Sequence, residues 1–294
     1  MPDVVGTLLP LALAFIMFAV GITLVPSDFT RLFLQPKAVL GGLVAQLLFL
    51  PAVAWALAVA LRLPPEMAVG LVLLGACPGG ASSALITHLA RGTAALSVTL
   101  TAITSLVALV SMPVVLQFAL AEFMGERSAI EFSVEKLVRG VFLMTTVPVA
   151  AGMLVRALRP ALADRVQGGL GRVATLLFVA IVIATFVGQR EVLLANLGTV
   201  GPAAAALNMI VMLAGAGLAV ALRLERRDAV AIASECGLQN AALGIFVATT
   251  VLAAPALAVP SVVYALLMNV GAIGLIVVAR RWLATARTVA GAAG

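Results

Sequence analysis

The chain has 294 residues, 63% of them hydrophobic and only 10% charged, with a mean hydropathy of +1.21. No soluble domain can hide that much apolar surface, which excludes a soluble enzyme or a soluble nucleic-acid binder. The net charge of +6 and pI near 10.6 reflect basic loops on one face of a membrane, and no nucleic-acid signal accompanies them.

The apolar runs are of helix length, unlike the roughly ten-residue alternating strands of a membrane barrel. They predict an all-α polytopic membrane protein. Nine transmembrane helices are expected, at 4–25, 38–61, 67–90, 94–120, 137–158, 168–188, 198–222, 228–252 and 259–281. No basic residue precedes Arg31, so a cleaved signal peptide is not expected. The first connection reads Pro26-Ser27-Asp28-Phe29-Thr30-Arg31 and continues to Gln35-Pro36-Lys37. The second span carries one amide, Gln46. The third starts at Met67-Ala68-Val69 and is interrupted at Cys77-Pro78-Gly79-Gly80, with Ser82 and Ser83 just beyond. On the fourth, Ser97, Thr101 and Thr104 are four and three residues apart, which puts their hydroxyls on one helical face. A Glu-rich connection from Glu122 to Lys136 is expected to form a surface helix. The eighth span starts at Asp228-Ala229-Val230 and is interrupted at Cys236-Gly237. Cys77 and Cys236 both fall inside spans and say little about redox compartment. The lone histidine, His88, cannot build a metal cluster.

Basic residues divide unevenly between the two sides of this topology. Thirteen lie on one side, among them Arg31, Arg91, Arg156, Arg226, Arg227 and Arg280. Five lie on the other: Arg62, Arg127, Lys136, Arg139 and Arg190. The richer side should be cytoplasmic. The expectation is a cytoplasmic membrane of bacterial type, with the N-terminus outside and the C-terminus inside.

The functional question is set by Ala233-Ser234-Glu235-Cys236-Gly237-Leu238-Gln239-Asn240-Ala241. Glu235 is the one acidic residue expected deep in the membrane. An ionised carboxylate there costs at least about 2.5–3.5 kcal/mol without a partner, and no lysine or arginine lies in the core of another span. A bound cation is the leading partner; a protonated structural glutamate is the other solution. The third and eighth spans are antiparallel and broken at matching positions, the pattern that marks a transporter site between inverted repeats. Each feature also has a plainer explanation. Gly-Pro clusters can mark simple kinks, and most intramembrane Ser and Thr bond their own helix or pack on small neighbours. Gln46 could be an interhelical bond, and Gln239 and Asn240 could merely cap a half-helix. Taken together, oxygens and freed carbonyls suit sodium, a hard cation. The N-terminal ends of the half-helices favour an anionic group. The residues describe a sodium-coupled carrier of an organic anion.

A family resemblance adds to this. Cys77-Pro78-Gly79-Gly80-Ala81-Ser82-Ser83, His88-Leu89-Ala90-Arg91-Gly92 and Ala95-Leu96-Ser97 together resemble the first crossing segment of the bile acid:sodium symporters. Glu235-Cys236-Gly237-Leu238-Gln239-Asn240 resembles the second, and Pro26-Ser27-Asp28-Phe29 and Leu63-Pro64-Pro65-Glu66 resemble the loops. The resemblance implies a single transporter unit. In it an inverted-repeat core with two crossed, discontinuous helices (approximately 38–120 and 198–281) works against a panel domain (approximately 4–25 and 137–188). It implies one sodium at Ser83, Ser97, Thr101 and Glu235, and a second at Gln46, Glu235, Gln239 and the carbonyls of Cys236 and Leu238. The organic anion, bile acid-like or a small carboxylate, would sit near Gly80, Ala81, Ser82, Asn240 and Asn269. The chain departs from the family at Ala84, where an asparagine ligand is usual. Ala81 and Met268 replace polar residues near the substrate, so substrate identity does not transfer.

The nearest rival is an arsenite or metalloid efflux permease of related fold, kept open by Cys77 at the break. A sodium/proton antiporter would be expected to carry a second intramembrane carboxylate. An enzyme is not expected, because His88 lies near a span end, far from Glu235, and no Ser–His or Asp–Asp pair sits at matching depth. A non-transporting sensor would bind sodium without flux. The oligomeric state is not readable.

Overall fold

The computed structural model describes residues 2–25, 30, 33–80, 82–125 and 133–291, with side chains between 8 and 285 of these. Every expected apolar segment is helical. In chain order the helices are α1 (Pro2–Thr23), α2 (Pro36–Ala60), α3 (Pro65–Gly75), α4 (Ser83–Leu89), α5 (Ala94–Met124) and α6 (Val134–Leu158). They continue with α7 (Pro160–Gly188), α8 (Arg190–Ala221), α9 (Arg226–Gly237), α10 (Ala241–Val251) and α11 (Val259–Gly291). Among the described residues, six stretches are long and apolar enough to cross a membrane: α2, α5, α6, α7, α8 and Pro255–Thr285, which contains most of α11. Shorter apolar helices are Leu8–Thr23 within α1, α3 and α10. The protein is an integral membrane protein.

Proline sets much of the local geometry, because it removes a helical N–H. Ahead of Pro51, α2 widens into a π turn over Ala45–Phe49, where the Leu50 N–H reaches Ala45 O. α6 does the same over Phe142–Thr146, ahead of Pro148. Such one-turn bulges recur at functional sites, and the first one carries Gln46. At Pro78-Gly79-Gly80 a proline and two poor helix formers stop α3 altogether, and no helix restarts until Ser83.

Three boundaries differ from expectation. α7 begins at Pro160, not 168, because proline at the first helical position is preorganised for the helix. Its polar first turns are then held by Arg156, which donates to Asp164 Oδ1 and Gln167 Oε1, both at 2.7 Å, and to Ile22 O at 2.6 Å. α8 begins at Arg190, so the expected 188–198 connection shrinks to Gln189. Where a surface helix is expected across Glu122 to Lys136, α5 runs on to Met124 and α6 starts at Val134, which Ser133 Oγ caps by accepting from Lys136 N at 3.2 Å. The middle of that connection, 126–132, lies outside the described residues.

Burial separates the helices into two kinds. α3 is buried from Met67 to Gly75, and α9 from Asp228 to Gly237. The long helices expose large apolar side chains such as Leu176, Leu213 and Val270, as lipid-facing surfaces do. The short interrupted helices are thus enclosed by the long ones. α8 packs along α9 and α11, and α1 packs on α6 and α7. The α1–α6 contact is close enough to need glycine. A Cβ on Gly152 would strike Phe18 O and come within 2.7 Å of Ile22 N, whereas one on Gly198 meets nothing within 4 Å. Gly152→Leu should therefore destabilise the detergent-solubilised protein by about 1–3 kcal/mol, with Gly198→Leu within about 0.5 kcal/mol of the parent. Thermal midpoints check this; equal midpoints would show that α1 and α6 are not in backbone contact.

Candidate functional site

α3 and α9 have 11 and 12 residues, which at 1.5 Å per residue reach about 16–18 Å, roughly half of a ~30 Å hydrocarbon core. Both end in extended backbone, and the two ends meet in an isolated antiparallel bridge of Gly79 with Gln239. Gly80 N–H donates to Leu238 O at 2.6 Å, and Asn240 N–H donates to Pro78 O at 3.0 Å. The bridge satisfies backbone groups that would otherwise be orphaned away from water. α4 and α10 depart from the same place. Two carbonyl ends and two N–H ends therefore converge on one buried point.

Glu235 lies at that point and is fully buried, at 0% exposure. Its carboxylate rests where a Cβ on Gly79 would be, so only glycine fits there. Thr101 Oγ1 donates to Oε1 at 2.6 Å and Ser97 Oγ to Oε2 at 2.7 Å. Ser83 Oγ lies 3.1 Å from Ser97 Oγ and 3.4 Å from Thr101 Oγ1. A hydrogen bond to a charged group contributes about 1.5–3 kcal/mol. Two of them are of the same order as the several kcal/mol that burying the ion costs. The hydroxyls offset burial, yet no basic side chain pairs with Glu235; the one ion pair among the described residues is Arg156–Asp164.

A second group of oxygens lies beside the first. Gln46 Nε2 donates to Gln239 Oε1 at 2.8 Å, with Cys77 O at 3.3 Å. Gln239 Nε2 donates to Cys236 O at 2.7 Å, with Glu235 O at 3.3 Å. Leu238 O is engaged by the bridge, leaving its second lone pair. Gln46 is thus an interhelical bond as well as a neighbour of the break.

The expected sodium residues therefore gather where the two broken segments meet, while those expected for the anion are more scattered. Gly80 is part of the bridge, and Ala81 lies outside the described residues. Ser82 is exposed at the start of α4 and makes no side-chain capping bond. Asn240 does cap a half-helix, its Oδ1 accepting from Leu243 N at 3.0 Å, while its Nδ2 faces Met17 Sδ of α1 at 3.6 Å. Asn269 is exposed and donates to Ala265 O of its own helix at 2.7 Å. Thr104 likewise bonds back to Leu100 O at 2.8 Å and does not join the hydroxyl cluster.

Three participants escaped sequence reasoning. Ser234 Oγ donates to Ser83 O at 3.0 Å, tying α9 to the start of α4. Behind the break, Asn208 Nδ2 and Tyr264 OH both donate to Gly237 O, at 2.7 and 2.9 Å. They could have been noticed as the one amide of the seventh apolar segment and the chain's only tyrosine.

Residues 10–196 match the family described as the Sodium Bile acid symporter family. The chain belongs to this family. It is a transporter family, not one of enzymes. Over 265 residues the chain is 34% identical to the "Uncharacterized sodium-dependent transporter YocS" of Bacillus subtilis, covering 90% of this chain and 80% of that one. It is 30% identical over 271 residues to a probable chloroplastic sodium/metabolite cotransporter of Oryza sativa, covering 92% of this chain but 63% of that one. With the ileal sodium/bile acid cotransporter of Oryctolagus cuniculus it shares 29% identity over 152 residues, 52% of this chain and 43% of that one. The chain thus spans less than two thirds of the length of these plant and mammalian members of the symporter family.

The support behind the break can be tested apart from any ligand. Tyr264→Phe leaves Asn208 as a donor to Gly237 O and should cost about 0.5–1.5 kcal/mol. Asn208 Nδ2 also donates to Tyr264 OH at 3.1 Å; adding Asn208→Ala leaves the buried Gly237 carbonyl unsatisfied, so the double variant should cost about 1–3 kcal/mol more than Tyr264→Phe alone. A double variant as stable as Tyr264→Phe in thermal or chemical unfolding would show that Asn208 does not hold that carbonyl.

Proposed function

We propose that this protein couples inward sodium movement to import of an organic anion by alternating access. One observation carries the reading: a fully buried carboxylate, Glu235, held by the Ser97 and Thr101 hydroxyls of α5 and lacking a basic partner among the described residues. A sodium ion arriving at Ser83, Ser97, Thr101 and Glu235 would exchange their mutual O–H···O bonds for cation contacts and neutralise the carboxylate. The second ion would be taken by the Gln46 and Gln239 amide oxygens with the Glu235, Cys236 and Leu238 group at the end of α9. The names of the relatives support sodium coupling and leave the solute open: one is named for bile acids, another for metabolites.

On this reading the chain has nine spans, with α3–α4 and α9–α10 as crossed, discontinuous members of an inverted-repeat core. The core comprises approximately 38–120 and 198–281, and α1, α6 and α7 form the panel, approximately 4–25 and 137–188. The N-terminus is outside and the C-terminus cytoplasmic. The anion would lie near Gly80, Ala81, Ser82, Asn240 and Asn269, where Asn240 faces Met17 of the panel helix α1. Two sodium ions with a monoanion carry one net charge, so a membrane potential would drive uptake by about 2.3 kcal/mol per 100 mV. Cys77 gives no support to metalloid efflux: its thiol donates to Leu73 O at 3.4 Å and is packed inside the protein.

Sodium-jump uptake of candidate anions into proteoliposomes tests the proposal. An inward sodium gradient should drive accumulation, and an inside-negative potential should raise it. Glu235→Gln should lower the sodium-dependent component at least tenfold, about 1.4 kcal/mol. Thr101→Val should raise the sodium concentration for half-maximal uptake, and Ala84→Asn should lower it. Uptake of every anion indifferent to sodium would reject the reading, and a clear rise with Ala84→Asn would show that position 84 is not beside the cation.

A further inference from the structure

The basic end of the protein holds a cavity that the transport reading leaves unused. Its volume is about 640 Å³, within the ~300–1,000 Å³ of small-molecule sites. Its walls are His88 of α4 with Arg91 and Gly92 beyond it, Glu225, Arg226 and Arg227 at the start of α9, and Leu283 and Ala284 of α11.

The arginines here are arranged against local preference. Arg226 and Arg227 occupy the first turn of α9, where the positive end of the helix dipole disfavours cations. Arg91 is held at φ +62°, a conformation that residues other than glycine rarely adopt. Three guanidiniums near the cavity are each fixed by a backbone carbonyl, whereas the exposed Arg91 side chain has no such bond among the described residues. Arg227 Nε donates to Arg91 O at 3.2 Å, Arg280 Nε to Leu89 O at 2.8 Å, and Arg226 Nη1 to Trp282 O at 3.0 Å. The Arg226 guanidinium also lies 5.2 Å from the Trp282 ring centroid. A guanidinium has five N–H donors, and these bonds use one of each. Glu225 lines the same cavity and Asp228 lies one turn along α9, and neither forms an ion pair with these arginines among the described residues. Guanidinium forks that have no carboxylate partner among the described residues, around a half-open cavity, match phosphate better than a point-like anion. Leu283 and Trp282, at the end of a long apolar helix, suit a phosphate that carries acyl chains.

We propose that this cavity binds a phosphate group through Arg91, Arg226 and Arg227. The same phosphate bridges the outer ends of α4 and α9, the two half-helices whose inner ends carry Ser83 and Glu235. Arg227 and Glu235 are eight residues apart on one helix, about 12 Å.

The test uses the purified full chain in neutral detergent, stripped of lipid, in sodium-free potassium buffer. It is therefore independent of the sodium reading. One arm titrates inorganic phosphate against potassium chloride at matched ionic strength. The other titrates phosphatidylglycerol against phosphatidylcholine in mixed micelles. A saturable rise in thermal midpoint with phosphatidylglycerol alone supports a lipid headgroup; a rise with inorganic phosphate supports a soluble phosphate compound. In either case Arg226→Gln/Arg227→Gln should weaken the half-saturation concentration at least tenfold. Arg91→Gly removes a cation while relieving the backbone, so it should weaken binding without lowering the unliganded midpoint, and it keeps the test decisive if the double variant does not fold. No saturable rise in either arm, or one that survives Arg91→Gly unchanged, overturns the proposal.

Discussion

A carboxylate buried with hydroxyl donors but no basic partner governs how this protein is built. Glu235 can sit in the interior only because Ser97 and Thr101 reach it from α5 and because Gly79 has no side chain to occupy its space. Each requirement forces another. Gly79 belongs to the Pro78-Gly79-Gly80 stretch, at which the helical path of α3 is interrupted. The stop leaves peptide groups without helical partners, and the antiparallel bridge to the equally interrupted α9 satisfies them.

The surrounding helices make this arrangement tolerable in a membrane. Irregular backbone at membrane depth survives only where protein or water covers it. α3 and α9 are buried along nearly their whole length, and α8 approaches α9 closely at Gly215, where a Cβ would lie 3.3 Å from the Cys236 and Ile232 side chains. Asn208 and Tyr264 then hold the Gly237 carbonyl from behind. The polar centre is braced on one side and held on the other by hydroxyls and amides rather than by fixed charges.

Much of this was legible in the chain, for physical reasons. The bilayer dictates segment length, so each apolar stretch showed itself, and Pro-Gly-Gly announces a broken helix without help from tertiary structure. The four-residue spacing of Ser97 and Thr101 correctly placed both hydroxyls on one face. Thr104 shares that face but bonds back to Leu100, since a hydroxyl one turn further along no longer reaches the carboxylate. Partner choice of this kind depends on packing between helices, which no local pattern encodes. Asn208, Tyr264 and Ser234 were missed for the same reason: their partners lie 27 to 151 residues away. The start of α7 was misplaced because its first turns are polar, and hydropathy marks where the membrane begins rather than where the helix does.

The family places this chain among sodium-linked carriers, and the crossing explains how such a role could be physically met: hard oxygen atoms, one negative charge and freed carbonyls in a single buried cluster. Equilibrium binding of radioactive sodium to the purified protein, in the absence of any solute, tests that claim most directly. Saturable binding displaced by unlabelled sodium but not by equimolar potassium is the predicted result. Binding that fails to saturate, or that potassium displaces equally well, would contradict a sodium site at the crossing of the two interrupted helices.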